Sequence, residues 1–375
     1  MSLVQYQTEH VKALDGLRGY AALVVTFYHA ILHLQPALIE RVLMPSAGAL
    51  QREDLPAKAV LAICDGEAAV LLFYVLSGCV LCRSLVKAPP SPRSLTLFTL
   101  RRVLRLLPPM IVCLTAMWGL SKLYLAGDIL TFPVVTAWSA AKNALLIEIG
   151  VHGPSTSIQI EALATPFIIL FSLFYRAFSI PAAIAVFALS VFAIEMPALV
   201  FDLPNMHMYL FVFMLGMLVA LPEFEGVFAK ATGLRTVMLL VGALLVRHLA
   251  YRGALTGLIA QVILLGAVVG SVRWSLQTGW LHRFLGSAVS QFLGRTSYSY
   301  YLLNVVVLWV LWFSPAFSPL QNWSSPLVGG LVVGAIAAIA TMPLAYLSQR
   351  YCEAPFINLG RKLSIAYSRG GPDAA

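Results

Sequence analysis

Charge is what this sequence has least of. Only 11% of its 375 residues are Asp, Glu, Lys or Arg, while 60% are hydrophobic and the mean hydropathy is +0.85. Soluble domains carry about 25% charged residues, so the scarcity excludes an ordinary soluble enzyme and describes a polytopic membrane protein. Acidic residues are the scarcer sign, 16 against 25 Lys and Arg, for a formal net charge of +9. The excess does not mark a nucleic-acid binder, because the basic residues sit between apolar runs, as topology signals do, and not in solvated blocks. Cysteine is short as well: Cys64, Cys79, Cys82, Cys113 and Cys352 are an odd number, within or beside apolar segments, and imply no disulfide framework. Cys79 and Cys82 form a CxxC, but inside an apolar span they read as two small buried residues. There is no internal repeat, no metal site is expected, and no polar stretch has room for a second soluble domain. No small-x-small cleavage signal follows His33 and Leu34, and Glu9 and Asp15 lie beside Lys12 and Arg18, so the first apolar run reads as a retained span and not a signal peptide.

What the sequence does have is apolar runs of spanning length, at about Gly19 to Leu34, Glu67 to Leu81, Val103 to Leu125, Ile158 to Tyr175, Ile180 to Phe201, Met208 to Leu221, Leu234 to Ala250, Ala254 to Val272, Ser297 to Phe313 and Val328 to Leu347. These predict an all-α bundle of about ten transmembrane helices, one domain over residues 1–375, with the lipid bilayer as its surroundings. Met208 to Leu221 is short and is expected to extend into its flanks. Val134 to Ile149, interrupted by Lys142 and Glu148, reads as an amphipathic segment in the interface or folded over the bundle. With the N-terminus inside, eighteen of the 25 Lys and Arg fall on inner segments. Both termini and the dense loop Arg83 to Arg105, with its KAPPSPRS turn, are therefore expected at the cytoplasmic face of the cell inner membrane. Gln35 to Gly66 and Ala126 to Ser157 are then the outer pieces where an acceptor is gripped.

The stretch LDGLRGYAALVVTFYHA, Leu14 to Ala30, places two ionisable residues on the first span. Arg18 and His29 are eleven residues apart, about three helical turns plus 20°, and so share a face with about 16 Å of rise between them. With Arg18 at one surface, His29 lies near the midplane, where an ionisable residue is a functional-site hypothesis by default. The alternative is a neutral imidazole bonded between helices as packing. On the same scale Asn304, nine residues past Arg295, lies about 13 Å in, level with His29. Glu161 lies about 22 Å from the level of Arg176, towards the outer side, and Ser77 about 9 Å from the inner surface. This is more polarity than packing requires and suggests a chamber in the bundle.

These residues resemble the acyltransferase-three family of integral membrane O-acyltransferases. LDGLRGYAALVVTFYHA is similar to its opening signature, with Arg18 and His29 at the Arg, ten residues, His spacing. FYVLSGCVL (Phe73 to Leu81), RRVLRLLPPM (Arg101 to Met110), LGRTSYSYYLL (Leu293 to Leu303) and YCEAPF (Tyr351 to Phe356) resemble its later elements in order. The resemblance covers nearly the whole chain. It implies ten spans, a cytoplasmic acyl-CoA donor, no permanently bound cofactor, His29 as the catalytic residue, and transfer of groups other than aminoacyl groups to surface glycans or some small molecules. Two places depart from the pattern. TSIQIE, Thr156 to Glu161, keeps the Glu of W-S-L-x-x-E but lacks the aromatic pair that follows, and Asn304 stands where the family often has His. Asn cannot take a proton near neutral pH, so a second basic imidazole at that depth is missing.

Moving an acyl group from a thioester to an alcohol requires the hydroxyl to lose its proton as it attacks, and His suits a general base near neutral pH. His29 is the candidate base. Glu161 orients it, binds acceptor hydroxyls, or is only a helix-end carboxylate. Asn304, Ser297, Ser299 and Tyr298 are candidate donors to the oxyanion, with Ser77 a further possible acceptor contact. Arg101 and Arg105, at i and i+4 with Arg102 adjacent, suit the phosphates of coenzyme A, though topology alone also produces a basic cluster at an inner helix end. Arg18, too far from His29 to bond it, is a candidate for the coenzyme end of a donor whose pantetheine arm reaches His29. The sequence thus predicts a membrane O-acyltransferase that moves an acyl group, acetyl first among them, from cytoplasmic acyl-CoA to a hydroxyl of a cell-surface or exported glycan in the cell envelope. A small cytoplasmic or lipid-linked acceptor is the alternative, and a transporter or flippase is the alternative from another class.

Overall fold

The computed structural model describes residues 3–87, 89–127, 132–275, 279–320 and 325–369, and among them every regular element is helical, with no strand. The helices are α1 (Leu3–Leu34), α2 (Leu55–Ile63), α3 (Gly66–Lys87), α4 (Pro92–Ala126), α5 (Ala137–Ala144), α6 (Ser155–Leu163), α7 (Thr165–Phe192), α8 (Met206–Val219), α9 (Glu225–Phe228), α10 (Gly233–Leu249), α11 (Leu255–Trp274), α12 (Trp280–Leu285), α13 (Ala288–Phe313), α14 (Pro326–Ser348) and α15 (Ala354–Arg369). With no water in a bilayer core, helices satisfy every backbone group within the segment, and a chain so poor in charge has no other way to cross.

Seven of these stretches are long and apolar enough to cross a membrane: Lys12–Leu34, Arg52–Val86, Pro92–Ala126, Ser155–Phe192, Leu255–Trp274, Ala288–Phe313 and Pro326–Ala366. An eighth is reached if Met206–Val219 and Pro222–Phe228, bent by 74° at their junction, form one broken span. The bundle is therefore all-α with seven or eight candidate spans, not the ten expected from apolar runs. Two of the runs fall short for a physical reason: α8 has 14 residues and α10 has 17, against about 20 for a full crossing. Two more, Ile158 to Tyr175 and Ile180 to Phe201, fall largely within Ser155–Phe192. That stretch breaks at Ser179, which has φ 58° and ψ −152°. Pro181 follows, where it is suited to start a new helical arm but not to continue the old one. The Phe167 and Phe201 rings lie only 6.3 Å apart between centroids, so the chain doubles back at this break.

Helix α1 is the spine, packed along α13 and α14. It runs parallel to α13: Gly19 meets Leu293, the Thr26 and Tyr300 hydroxyls bond at 2.9 Å, and His33 stacks on Trp312 with centroids 3.8 Å apart. Small residues let the backbones approach. A Cβ on Gly78 of α3 would lie 2.2 Å from the Phe213 carbonyl oxygen of α8, and one on Gly216 of α8 would lie 2.1 Å from the Val75 carbonyl oxygen. Gly78→Ala must push two backbones apart and is expected to destabilise the bundle by about 1–3 kcal/mol. Gly119→Ala, with nothing within 4 Å, should be tolerated. Thermal unfolding of the two variants in detergent checks the difference, and equal midpoints would show that α3 and α8 yield at this contact.

The expected amphipathic segment is α5, which is folded over the bundle. Thr136 caps it in a reciprocal pair with Ser139, Trp138 is exposed, Asn143 is buried, and Lys142 pairs with Glu148. The end of the molecule away from Arg18 is closed by Gln35 to Gly66, folded into short turns and α2. There Lys58 Nζ donates to the carbonyls of Val42, Leu43 and Pro45, at 2.9, 2.8 and 2.7 Å. Residues 128–131 of the other outer stretch lie outside the described residues.

Candidate functional site

Near the Arg18 end, α1, α3, α4, α6, α13 and α15 enclose a cavity of about 270 Å³. Its polar wall is Arg18, Ser77, Arg101, Arg102, Arg105, Glu161, Ser297 and Arg361, and its apolar wall includes Phe73, Leu81, Phe98, Ile158 and Ile357. Five guanidiniums thus face one carboxylate. Helix α4 delivers three of them. Ser91 caps it by accepting the Ser94 amide at 3.2 Å, Pro92 occupies its first turn, and the turns that follow present Arg101, Arg102 and Arg105.

The guanidiniums are held differently. Arg18 Nη1 pairs with Asp15 Oδ1 at 3.0 Å, one turn back on the same helix. Arg102 is buried, and its Nη2 lies 3.3 Å from Glu161 Oε1 and donates to the Glu161 carbonyl at 2.6 Å. Ser77 Oγ donates to Glu161 Oε1 at 2.9 Å. A buried guanidinium needs such a partner, yet its Nε has none. Among the described residues Arg101, Arg105 and Arg361 make no hydrogen bond and no ion pair. Cations left unpaired around a cavity favour an anion within it.

Glu161 sits with Ser77, although the sequence reading separated the two by depth. Arg176 donates to the carbonyls of Leu85 and Val86 at 2.9 and 2.6 Å, beyond Arg83 on α3, so the two anchors from which depth was counted are not level. Glu161 consequently holds Arg102 and does not touch His29. His29 is half-buried, its ring edge-on to Tyr28 at 5.7 Å between centroids, and it is not on the cavity wall. The deep end of the cavity is formed by Ser157 and Tyr301, whose hydroxyls bond at 2.7 Å. From Arg18 to Thr26, the level of Tyr300, is about 12 Å of helix, and His29 lies about 5 Å farther.

The four candidate oxyanion donors already spend their hydrogens. Ser297 Oγ donates to the Gly294 carbonyl at 2.8 Å, Tyr298 to the Leu106 carbonyl at 2.7 Å, and Ser299 to Glu353 Oε2 at 3.0 Å. Asn304 gives its amide hydrogens to the carbonyls of Tyr300 and Tyr301 at 3.2 and 2.8 Å, while its buried Oδ1 has no partner among the described residues. In this arrangement Asn304 is free as an acceptor, not as a donor.

Sequence reasoning passed over two buried groups. Glu353, in the π-helical turn Gln349–Glu353 that joins α14 to α15, is buried beside Ser299 and within electrostatic reach of Arg18 and Arg105. Its signal was present as the Glu of YCEAPF, a carboxylate flanked by apolar residues. The second is His152 in the loop before α6. Its Nε2–H donates to the Leu302 carbonyl at 3.0 Å and its Nδ1 accepts from Ser155 Oγ at 3.0 Å. The Asn143 side-chain carbonyl accepts the His152 amide at 3.1 Å. Burial pushes this imidazole down to about 4, against the Leu302 bond, which raises it. It is a neutral pin between the α5–α6 loop and α13. Among the described residues no group of His, Cys, Asp or Glu could hold a metal ion.

A family model described as an acyltransferase domain, that of the acyltransferase-3 family, matches residues 11–350 of the chain. No curated protein and no solved structure matches it.

Proposed function

The chain belongs to the acyltransferase-3 family of membrane acyltransferases, and we propose that it transfers an acyl group, acetyl first among them, from acyl-CoA to a hydroxyl of a cell-surface or exported glycan. One observation carries the donor half of this reading: a cavity with five guanidiniums and a single carboxylate, three of the guanidiniums unpaired. Coenzyme A brings phosphates that guanidinium forks grip, on a pantetheine arm long enough to run from Arg18 past Tyr301. The Arg18 end faces the cytoplasm in this reading, because Arg18, Arg101, Arg102, Arg105 and Arg361 gather there and basic residues favour the inner face, and the acceptor arrives from the other side.

His29 takes the proton of the acceptor hydroxyl as its oxygen attacks the thioester carbonyl. The C–S bond breaks and the sulfur leaves with that proton, so an ester and free coenzyme A are formed. Asn304 Oδ1, without a partner among the described residues, accepts a hydrogen bond from the acceptor or from the N–H of His29. Glu161 keeps Arg102 in place and has no part in the proton transfer.

Purified protein in detergent is expected to bind coenzyme A and to consume acetyl-CoA. Replacing Arg101 and Arg105 together by Gln should raise the KM for acyl-CoA about tenfold or more with kcat little changed, since phosphate contacts are made equally in the ground and transition states. An unchanged KM would leave the cluster as a topology signal. A protein that moves glycan across vesicles without consuming acyl-CoA would instead be a transporter. Mass spectrometry of surface glycans from cells with and without the protein identifies the acceptor.

A further inference from the structure

Helix α15 lies beyond the residues that the family model matches, which end at 350, yet it forms part of the cavity wall. It is amphipathic in a specific way. Phe356, Leu359 and Leu363 are exposed along one face, at the spacing of a helix lying on lipid. Beside this stripe the helix rests on α4 at Gly360, where a Cβ would come within 3.1 Å of Arg101 Cγ. Glycine there permits the close approach. Ile357 and Arg361, one turn apart, then reach the cavity beside Arg101. Arg361 is exposed at its rim and makes no hydrogen bond or ion pair among the described residues.

We infer that Arg361 completes the donor site by binding a phosphate of the nucleotide end of acyl-CoA, so that the C-terminal interfacial helix is part of substrate recognition. The inference rests on the acyl-CoA reading above. A guanidinium at the rim, with its partner Arg101 on a second helix, meets the end of the donor that is farthest from the thioester. Lys362, the next residue, faces away, against Arg350 and Asn358, and serves as the control for surface charge.

The test is equilibrium binding of coenzyme A, dephospho-coenzyme A and pantetheine to the full-length protein in detergent, as wild type and as Arg361→Gln, Arg361→Lys and Lys362→Gln. Arg361→Gln should weaken coenzyme A about tenfold, as expected for one charge-assisted contact. It should leave pantetheine unchanged, with partial recovery in Arg361→Lys and no loss in Lys362→Gln. A loss that disappears with dephospho-coenzyme A assigns the contact to the ribose phosphate, and one that persists assigns it to the diphosphate; both support the inference. Equal affinity of wild type and Arg361→Gln for coenzyme A, or the same loss in Lys362→Gln, overturns it while the donor reading stands. A wild type that binds no coenzyme A overturns the donor reading itself.

Discussion

His29→Ala should abolish acyl transfer while leaving coenzyme A affinity close to wild type. Deleting a general base lowers kcat by about 10²- to 10⁴-fold. His29 is absent from the cavity wall and lies about 5 Å beyond the level of its deep end, so the phosphate contacts do not depend on it. His29→Gln is the sharper variant. It can still hydrogen-bond, and it would preserve a packing role beside Tyr28, but it cannot take a proton. Near wild-type turnover in a normally inserted Gln variant would show that His29 packs helices and does no chemistry. Arg18→Lys is expected to behave in the opposite way. It keeps the charge but loses the fork, so donor affinity should fall more than kcat. The contrast between the two residues separates a binding end from a reacting end of one helix face.

The helical class was legible because it depends on composition, and the placing of Arg18, Arg101, Arg102 and Arg105 around one cavity was legible because local helix periodicity and motif order survive folding. The number of crossings was not. Apolar runs show where the chain can enter lipid, and the gap between Tyr175 and Ile180 brackets the break at Ser179, but they do not show that α8 stops at 14 residues or α10 at 17. Depth failed for Glu161 because counting from Arg176 and from Arg83 assumes level anchors, whereas Arg176 reaches the carbonyls of Leu85 and Val86. The partners of buried polar groups were also invisible. No spacing rule pairs Ser299 with Glu353, or His152 with the carbonyl of Leu302, because those contacts join residues 54 and 150 positions apart. The same contacts decide chemistry: Ser299 looked like an oxyanion donor until its hydrogen was found on Glu353. Arg361 was counted only as a topology charge, since nothing in the sequence says that a C-terminal amphipathic helix folds back onto the start of α4.

The largest stability effect is expected far from the cavity, at Asp65. Its carboxylate is fully buried and receives Arg252 in two-pronged fashion, Nη2 to Oδ1 at 2.6 Å and Nη1 to Oδ2 at 3.1 Å. Oδ1 also caps α3 by accepting the amides of Glu67 and Ala68, each at 3.1 Å. Around this pair Arg247 bonds Glu67 Oε1 at 2.8 Å and donates to the Arg252 carbonyl at 2.8 Å. The cluster locks the start of α3 to the turn between α10 and α11, and its opposite charges nearly balance, so its strength lies in being complete. Asp65→Ala strips both the ion pair and the cap, leaving a buried guanidinium without its main counter-ion, and should destabilise the fold by about 3–5 kcal/mol. Asp65→Asn, which can keep the cap, should lose less. Removing Arg252 as well should return part of the loss, because the penalty in the single variant comes from the orphaned partner and not from the missing attraction. A double-mutant cycle with Arg252→Ala, measured by reversible unfolding in mixed micelles, is expected to show a coupling of about 2 kcal/mol or more. Strict additivity of the two substitutions would mean that water reaches Arg252 once Asp65 is gone, and that the cluster is a solvated surface feature and not a lock.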